Sequence, residues 1–276
     1  WAEGLLRLTS TRPGYVRAGR SSGHMLTRPR PIPVSQCRTA LAALLAVGLA
    51  NCTAPEPGAE YNDPFETANR AVHEDNKAID RFLFGGAGKR GVVPVLPRPV
   101  AHGLGNIANN LGEPSDVANS LLQGRVEPAI TDTFRFLINS TVGIAGLFDP
   151  ATALGIAAND TDFGETMAVW GIREGAYLEL PIAGPSTERD ALGKVVDFAL
   201  DPIGQVIGGS EQGAVLAARI GSAVGSRQRF SDTVESILYE SADSYAQSRL
   251  LYLQNRRFEL GEETQEFDPY EDPYAE

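Results

Sequence analysis

Residues 127–142, with the sequence EPAITDTFRFLINSTV, contain the clearest secondary-structure signal in the chain. The apolar residues of this stretch recur at spacings of three and four, which is the period of an amphipathic helix. Glu127-Pro128 suits the first turn of such a helix, because a proline at the first helical position has no N–H group that needs a partner. The stretch therefore predicts a long helix that ends near Thr141. Its apolar positions are Ile130, Phe134, Leu137, Ile138 and Val142.

Most other segments show the same helical period. Asp63 is predicted to cap a helix that runs to about Phe84, where Gly85-Gly86 ends it. A brief strand is predicted at Tyr177–Leu180, because apolar and polar residues alternate there. The predicted fold class is all-α, with short and medium helices joined by Gly/Pro turns and one brief strand pair at most. The remaining predicted helices cover residues 97–111, 113–124, 162–170, 187–200, 213–238 and 241–258.

Charge divides the chain of 276 residues, whose formal net charge is −11, into three blocks. Residues 1–51 hold seven arginines and one acid, whereas residues 52–276 hold 17 basic and 34 acidic residues. The last 18 residues, 259–276, hold eight acids and no base. An acidic body does not favour nucleic acid as a partner, since binding to phosphates requires a basic surface.

The basic N-terminal block has the pattern of a targeting signal. Met25 opens a stretch with three arginines and no acid, and an apolar run of 11 residues follows at Ala40–Ala50. This run is too short to cross a bilayer, which takes about 20 apolar residues. A charged region, a short apolar region and small residues are typical of a secretory signal. We therefore expect residues 25–51 to be a signal peptide and residues 1–24 to be upstream read-through.

The signal ends in Leu49-Ala50-Asn51-Cys52, which resembles a bacterial lipobox, although Asn51 occupies a position usually held by Gly, Ala or Ser. We predict that Cys52 is lipidated and that no other cofactor is bound. Thr53 follows where an aspartate would signal inner-membrane retention, so outer-membrane sorting is favoured. An uncleaved anchor and plain secretion are the alternatives. We expect a tether over residues 52–60, a helical domain over 61–258 and an acidic disordered tail over 259–276.

Parts of catalytic and metal-binding motifs occur in the rest of the chain, but none of them is complete. His73-Glu74 begins like a zinc-protease helix, but Lys77 stands where the second histidine is needed. Residues 103–108 match a dinucleotide fingerprint without the preceding strand that the motif requires. We therefore expect no metal site, no catalytic residue and no enzymatic activity. A hydrolase that uses His73 and Asp75 with a serine is the alternative.

Five stretches together resemble one family. The resemblance to the VacJ/MlaA lipoproteins is strong over Tyr61 to about Pro202 and looser over Asp243–Phe258. Five motifs in the same order are far more specific than any one of them. The stretches are YNDPFETANRAVHEDNKAIDRFLF (61–84), NNLGEPSDVANSLLQG (109–124), TFRFLINSTVGIAGLFD (133–149), DFGETMAVWG (162–171) and LELPIAGPSTERDALG (178–193).

This resemblance implies a ring-like, all-helical lipoprotein in the inner leaflet of the outer membrane, on its periplasmic side. Such a protein removes mislocalised phospholipids from the outer leaflet through an amphipathic pore and passes them to a periplasmic carrier protein. In this way it maintains lipid asymmetry, in association with an outer-membrane porin. Two alternatives are a lipoprotein scaffold that binds an outer-membrane protein without moving lipid, and a tethered periplasmic hydrolase.

The resemblance also implies roles for particular residues. The first helix of the family is linked to control of the pore, and His73 stands in that helix here where related sequences usually carry apolar or aromatic residues. Arg135 and Asn139 lie four residues apart on one helix face, where they either line the lipid route, pair with Asp132 or cap a neighbouring helix. The pore or gating candidates are Asn69, Arg70, His73, Asn76, Asp80, Arg135 and Asn139.

Overall fold

A computed structural model describes residues 61–86, 89–206 and 211–262, all within the unit Ala42–Glu276. The predicted signal, Cys52 and the tether lie outside the described residues, as does the acidic tail beyond residue 262. The boundaries predicted for these segments therefore stay predictions.

The described residues form mainly helices, and the all-α fold class is confirmed. The predicted strand at Tyr177–Leu180 is present as β3, and it pairs antiparallel with β4 (Gly184–Thr187), so that Tyr177 lies opposite Thr187. Gly85–Gly86 and Lys89–Arg90 form a second short antiparallel pair, β1 with β2. The elements are α1 (Glu66–Phe84), β1 (Gly85–Gly86), β2 (Lys89–Arg90), α2 (Arg98–Leu122), α3 (Val126–Thr141), α4 (Pro150–Ala153), α5 (Phe163–Val169), β3 (Tyr177–Leu180), β4 (Gly184–Thr187), α6 (Glu188–Leu200), α7 (Pro202–Val206), α8 (Glu211–Arg229), α9 (Ser231–Glu235), a π-helical turn (Ser236–Glu240) and α10 (Ser244–Glu259).

Helix α2 is continuous, so the prediction of two helices that meet near Glu113-Pro114 is wrong. Pro114 lies inside the helix and offers no N–H group to the preceding turn. Contacts on either side of the proline hold the helix together, since Asn119 beyond it donates to Asp197 of α6 (Glu188–Leu200) at 3.0 Å. Asn110 donates to Ser140 of α3 at 3.0 Å, and Glu113 pairs with Arg135 of α3. Tertiary contacts therefore override the local helix-breaking signal.

The predicted cap of α1 is also wrong, because Phe65 and not Asp63 precedes the helix. The Asp63 carboxylate accepts a hydrogen bond from Asn69 at 2.9 Å and further bonds from Tyr245 and Arg249 of α10. An aspartate close to a helix start is a good cap only while its carboxylate has no stronger partner. Here the Arg249 guanidinium and the Tyr245 hydroxyl, from the C-terminal helix α10, donate hydrogen bonds to the Asp63 carboxylate.

Buried apolar side chains form two small clusters. Phe163 and Met167 of α5 pack against Val196 of α6. Tyr177 of β3 packs against Tyr245 and Leu253 of α10. None of the described helices combines the length and the apolar character that crossing a bilayer requires.

Helices α5 and α6 approach each other at Gly193. A Cβ atom built on Gly193 would lie 2.5 Å from the backbone N of Gly164 and 2.8 Å from its Cα. Backbone atoms cannot swing away as the end of a side chain can, so the close approach requires a residue without a side chain at this position.

We predict that Gly193→Ala lowers the free energy of unfolding by roughly 1–3 kcal/mol, the usual penalty for overpacking. Gly105→Ala is the matched control, since a Cβ there meets nothing within 4 Å. That control should raise the free energy of unfolding by about 0.5–1 kcal/mol, because alanine favours a helix over glycine. Denaturant unfolding of both variants checks this, and equal effects at the two sites would contradict the described packing.

Candidate functional site

Helix α3 has its polar face buried and its apolar face exposed. Ile130, Phe134 and Leu137 are 51–56% exposed, whereas Arg135 and Asn139 on the opposite face are 3% exposed. A helix on the surface of a water-soluble protein has the reverse arrangement, with its apolar stripe against the core. The amphipathic period predicted for this stretch is therefore present, but its apolar face points outward.

The buried Arg135 guanidinium is surrounded by partners from three parts of the chain. Its Nε donates to Glu113 of α2 at 2.8 Å, and its Nη2 donates to Asp149 at 3.3 Å. Its Nη1 donates to the Thr152 hydroxyl at 3.2 Å and to the Ile156 carbonyl. A buried charge is tolerated only when it is paired and hydrogen-bonded in this way.

Asn139, one helical turn further on, completes the same network. Its amide nitrogen donates to Asp149 at 3.0 Å, and its amide oxygen accepts from the Ala151 N–H at 3.1 Å. Asn139 thus bonds the start of α4, which agrees with the helix-capping alternative. Arg135 forms ion pairs as the other alternative predicted, but with Glu113 and Asp149 in place of Asp132.

Several carboxylates lie beside this network. Burial, together with the nearby carboxylates of Glu113, Asp160 and Asp132, raises the pKa of Asp116 to about 8. Burial also raises the pKa of Asp132, although the hydrogen bonds that Asn159 donates to its carboxylate act to lower this pKa. No cluster of three or more histidine, cysteine or carboxylate side chains within the described ranges has a geometry that could hold a metal ion.

The α1 candidates bind the edge of strand β3. Asn69 donates to the Tyr177 carbonyl and accepts from the Glu179 N–H, both at 3.0 Å. Asn76, two turns later, donates to the Leu180 carbonyl at 3.0 Å. Two side-chain amides thus satisfy backbone groups that a neighbouring strand would otherwise pair, and they fix α1 against β3.

His73 lies between these two asparagines and is buried with polar partners. One ring nitrogen, Nε2, lies 3.0 Å from the Ser244 hydroxyl, and the other, Nδ1, lies 3.3 Å from a Glu179 oxygen. A serine, a histidine and a carboxylate in this order resemble the constellation of a serine hydrolase. The structure therefore brings His73 together with Ser244 and Glu179, not with the predicted Asp75.

Two features of this trio favour a structural role. Ser244 is only 7% exposed, and its hydroxyl also accepts a hydrogen bond from Lys77 at 3.0 Å. At the start of α10, the Asp243 carboxylate accepts a hydrogen bond from the Ala246 N–H, so this N–H group is not available to stabilise an oxyanion. The trio links α1, β3 and α10 from positions that are far apart in the sequence.

The last two α1 candidates are ion-pair residues. The Arg70 guanidinium bonds Asp243 at 2.9 and 3.0 Å, and this bond lowers the pKa of the Asp243 carboxyl to about 2. Asp80 accepts from Arg227 of α8 at 2.7 and 2.9 Å and from the Tyr239 hydroxyl at 2.8 Å. Both residues hold α1 to elements from the C-terminal half.

The candidates fall into two separate groups. In the part of the chain that the structure describes, no hydrogen bond or ion pair joins the five α1 candidates to Arg135 and Asn139. Their partners Glu179, Ser244 and Glu113 were not predicted as site residues. Glu179 had a usable signal, since it alternates with Tyr177 and so shares the buried face of β3. Ser244 had none, because only folding brings it to His73.

We predict that Arg135→Leu lowers the free energy of unfolding by roughly 3–5 kcal/mol, because Glu113 is left buried without its counter-ion. Adding Glu113→Gln should recover at least about 1 kcal/mol, since it removes the orphaned charge. Denaturant unfolding of the single and double variants tests this. Equal stability of the two would mean that Glu113 does not depend on Arg135.

Comparisons with known proteins agree on one family. The family model described as MlaA lipoprotein matches residues 61–259. The intermembrane phospholipid transport system lipoprotein MlaA of Haemophilus influenzae is 35% identical over 227 residues, which cover 80% of this chain and 88% of that protein. The protein of the same name from Escherichia coli is 27% identical over 248 residues, covering 86% and 92%.

A solved structure resembles the fold as well. It comes from work on the structural basis for maintenance of bacterial outer membrane lipid asymmetry, and it aligns with a TM-score of 0.59 at 25% identity. The alignment covers 72% of this chain and 98% of that one. Together with the family match over residues 61–259, this similarity leads to one conclusion: the chain belongs to the MlaA lipoprotein family.

Proposed function

We propose that this chain is a lipid-anchored outer-membrane protein that removes mislocalised phospholipids from the outer leaflet and passes them to a periplasmic carrier protein. The family supports this proposal, because the relatives are named as lipoproteins of an intermembrane phospholipid transport system. Removal of lipid from the outer leaflet would maintain the asymmetry of the membrane. Moving a lipid breaks no covalent bond, so the proposed function requires no catalytic residue.

The observation that carries the proposal is the outward apolar face of α3. A phospholipid that changes leaflet must bring a charged headgroup past hydrocarbon, which costs many kcal/mol without polar partners. A protein lowers this cost when its interior is polar and its exterior is compatible with lipid. Helix α3 has this arrangement, with Ile130 and Phe134 outside and Arg135 and Asn139 inside.

The apolar surface continues beyond α3. Leu121 and Leu122 at the end of α2 are exposed, and so is Trp170 after α5. The Trp170 indole donates to the backbone carbonyl of Leu122 at 3.1 Å, which places the exposed indole at the end of α2. Tryptophan is enriched where membrane meets water. This surface fits a protein that rests in one leaflet beside a lipid route.

In this proposal the two candidate groups have different tasks. Arg135 and Asn139 hold the polar wall of an amphipathic pore together. The α1 candidates set the position of α1 against β3 and α10, so that a shift of α1 would change access to the pore. The ion pairs of Arg70 and Asp80 are the contacts that such a shift would break.

The proposed membrane attachment has two components. Residues 25–51 act as the signal, Cys52 carries lipid in the inner leaflet of the outer membrane, and residues 52–60 form the tether. One acyl chain binds a membrane only marginally, so several chains or an apolar protein face must add to it. The acidic body does not favour attraction to anionic headgroups. An outer-membrane porin is the proposed partner in that membrane.

Cells that lack this chain should accumulate phospholipid in the outer leaflet and lose resistance to detergent. Labelling of surface phospholipid with a membrane-impermeant reagent measures this, and the unmodified gene is the rescue control. Cys52→Ala should fail to rescue and should leave the membrane fraction. Normal surface phospholipid in the deleted strain would support a scaffold without lipid transport.

The same cells separate transport from hydrolysis. Ser244→Ala should rescue lipid asymmetry if Ser244 has a structural role, because the remaining contacts of α10 are kept. An enzyme that uses Ser244 as its nucleophile would lose all function.

We further predict that Phe134→Lys fails to restore lipid asymmetry although the variant folds, because a charge on the lipid-facing side of α3 is costly in hydrocarbon. The matched control is Phe258→Lys, since Phe258 is also exposed but lies between Arg257 and Glu259 on α10. Surface phospholipid labelling and circular dichroism check the pair. Full rescue by Phe134→Lys would show that this face does not contact lipid.

A further inference from the structure

A cavity of about 480 Å³ lies apart from both candidate groups, and three guanidinium groups line it. Arg189 comes from the first turn of α6, Arg257 from the last turn of α10 and Arg173 from the loop before β3. Two carboxylates, Glu174 and Glu262, line the same cavity, so the charged lining has a net charge of +1. The lining is thus net positive although the whole chain has a formal net charge of −11.

Arg189 has hydrogen-bonding capacity that the protein does not use. The residue is 2% exposed, and its Nη2 atom is buried without a partner. Its other two nitrogens make long contacts, 3.4 Å each, to Asp190 and to the Ile172 carbonyl. A buried cationic donor without an acceptor is costly, so an unpaired Nη2 on a residue that lines a cavity points to an anionic ligand.

Arg257 lies on the same cavity and is held in place. Its Nη2 donates to one Glu174 oxygen at 2.9 Å, and its Nε contacts the other at 3.3 Å. A guanidinium fixed in this way loses little further conformational entropy when it binds a ligand. Guanidinium groups form strong charge-assisted hydrogen bonds with phosphate oxygens, as they do with carboxylates.

The surroundings of the cavity indicate which phosphate would occupy it. Gly171 lines the cavity, and the two residues before it, Val169 and Trp170, are exposed apolar side chains. Trp170 joins this edge to the apolar end of α2 through its bond to Leu122. A phosphate site that adjoins an exposed apolar surface matches a phospholipid, whose phosphate and acyl chains are adjacent.

We propose that the cavity lined by Arg189 and Arg257 binds a phosphate group, and that this group is the phosphate of a phospholipid headgroup. The binding of phosphate follows from the geometry of the cavity, whereas its lipid source rests on the proposed function. The site would hold a headgroup at the protein surface, outside the polar network of Arg135.

Binding to the full-length protein in a neutral detergent tests the proposal. The probes are dihexanoylphosphatidylglycerol and inorganic phosphate, and dihexanoylglycerol is the control probe that lacks phosphate. Isothermal titration calorimetry measures the affinity of each probe. Arg257→Gln and Arg189→Gln should each weaken binding of the phospholipid by about tenfold or more, as expected for loss of a charged hydrogen-bond donor. Arg219→Gln is the matched control, since it removes an arginine that pairs with Asp201 at another cavity.

The outcomes are distinct. Weaker phospholipid binding by the Arg189→Gln and Arg257→Gln variants, with unchanged binding by Arg219→Gln, supports the proposal. If Arg189→Gln does not fold, the affinity of the Arg257→Gln variant alone tests the proposal. Inorganic phosphate that binds as tightly as the phospholipid supports the anion site and overturns its lipid source. Unchanged affinity in Arg257→Gln, or equal affinity for dihexanoylglycerol, overturns the site. Failure here leaves the cell assay of lipid asymmetry unaffected, so the two proposals fail separately.

Discussion

The buried Arg135 guanidinium is the interaction on which the N-terminal half of the described structure depends. Removal of a charge from water is tolerated only with full pairing, and Arg135 obtains it from Glu113 on α2 and Asp149 before α4. This one side chain therefore fixes two segments, α2 and the start of α4, relative to α3. The same arrangement turns Ile130 and Phe134 outward, because a helix that buries its polar face must expose its apolar one.

Polar contacts also hold α1 against elements of the C-terminal half. Asn69 and His73 attach α1 to β3 and α10, where a water-soluble protein of this size would use a larger apolar core. In a membrane leaflet the exterior is apolar, so burial of apolar side chains provides less driving force and interior hydrogen bonds matter more. The small apolar clusters and the extensive polar networks of the described residues are consistent with such surroundings.

Local sequence signals predicted most helices, but they failed where a residue that is distant in the sequence determines the local structure. Helix α3 begins and ends within one residue of its predicted bounds, because its period and its proline are local features. The predicted break near Pro114 is absent, since α3 binds α2 just before the proline and Asp197 of α6 binds Asn119 beyond it. Asp63 does not cap α1, because Arg249, which is 186 positions away, takes its carboxylate. For the candidate site, the shared face of Arg135 and Asn139 could be predicted, but the identity of their partners could not.

The sequence by itself determined the helical class, the acidic character of the body and the family to which the chain belongs, since periodicity, composition and ordered motifs are all local properties. The tertiary structure alone decided which face of α3 points inward. A 3.6-residue period creates a polar and an apolar face, but it does not say which of them meets the interior. That choice depends on Glu113 and Asp149 reaching Arg135, and long-range contacts of this kind exist only in the folded chain.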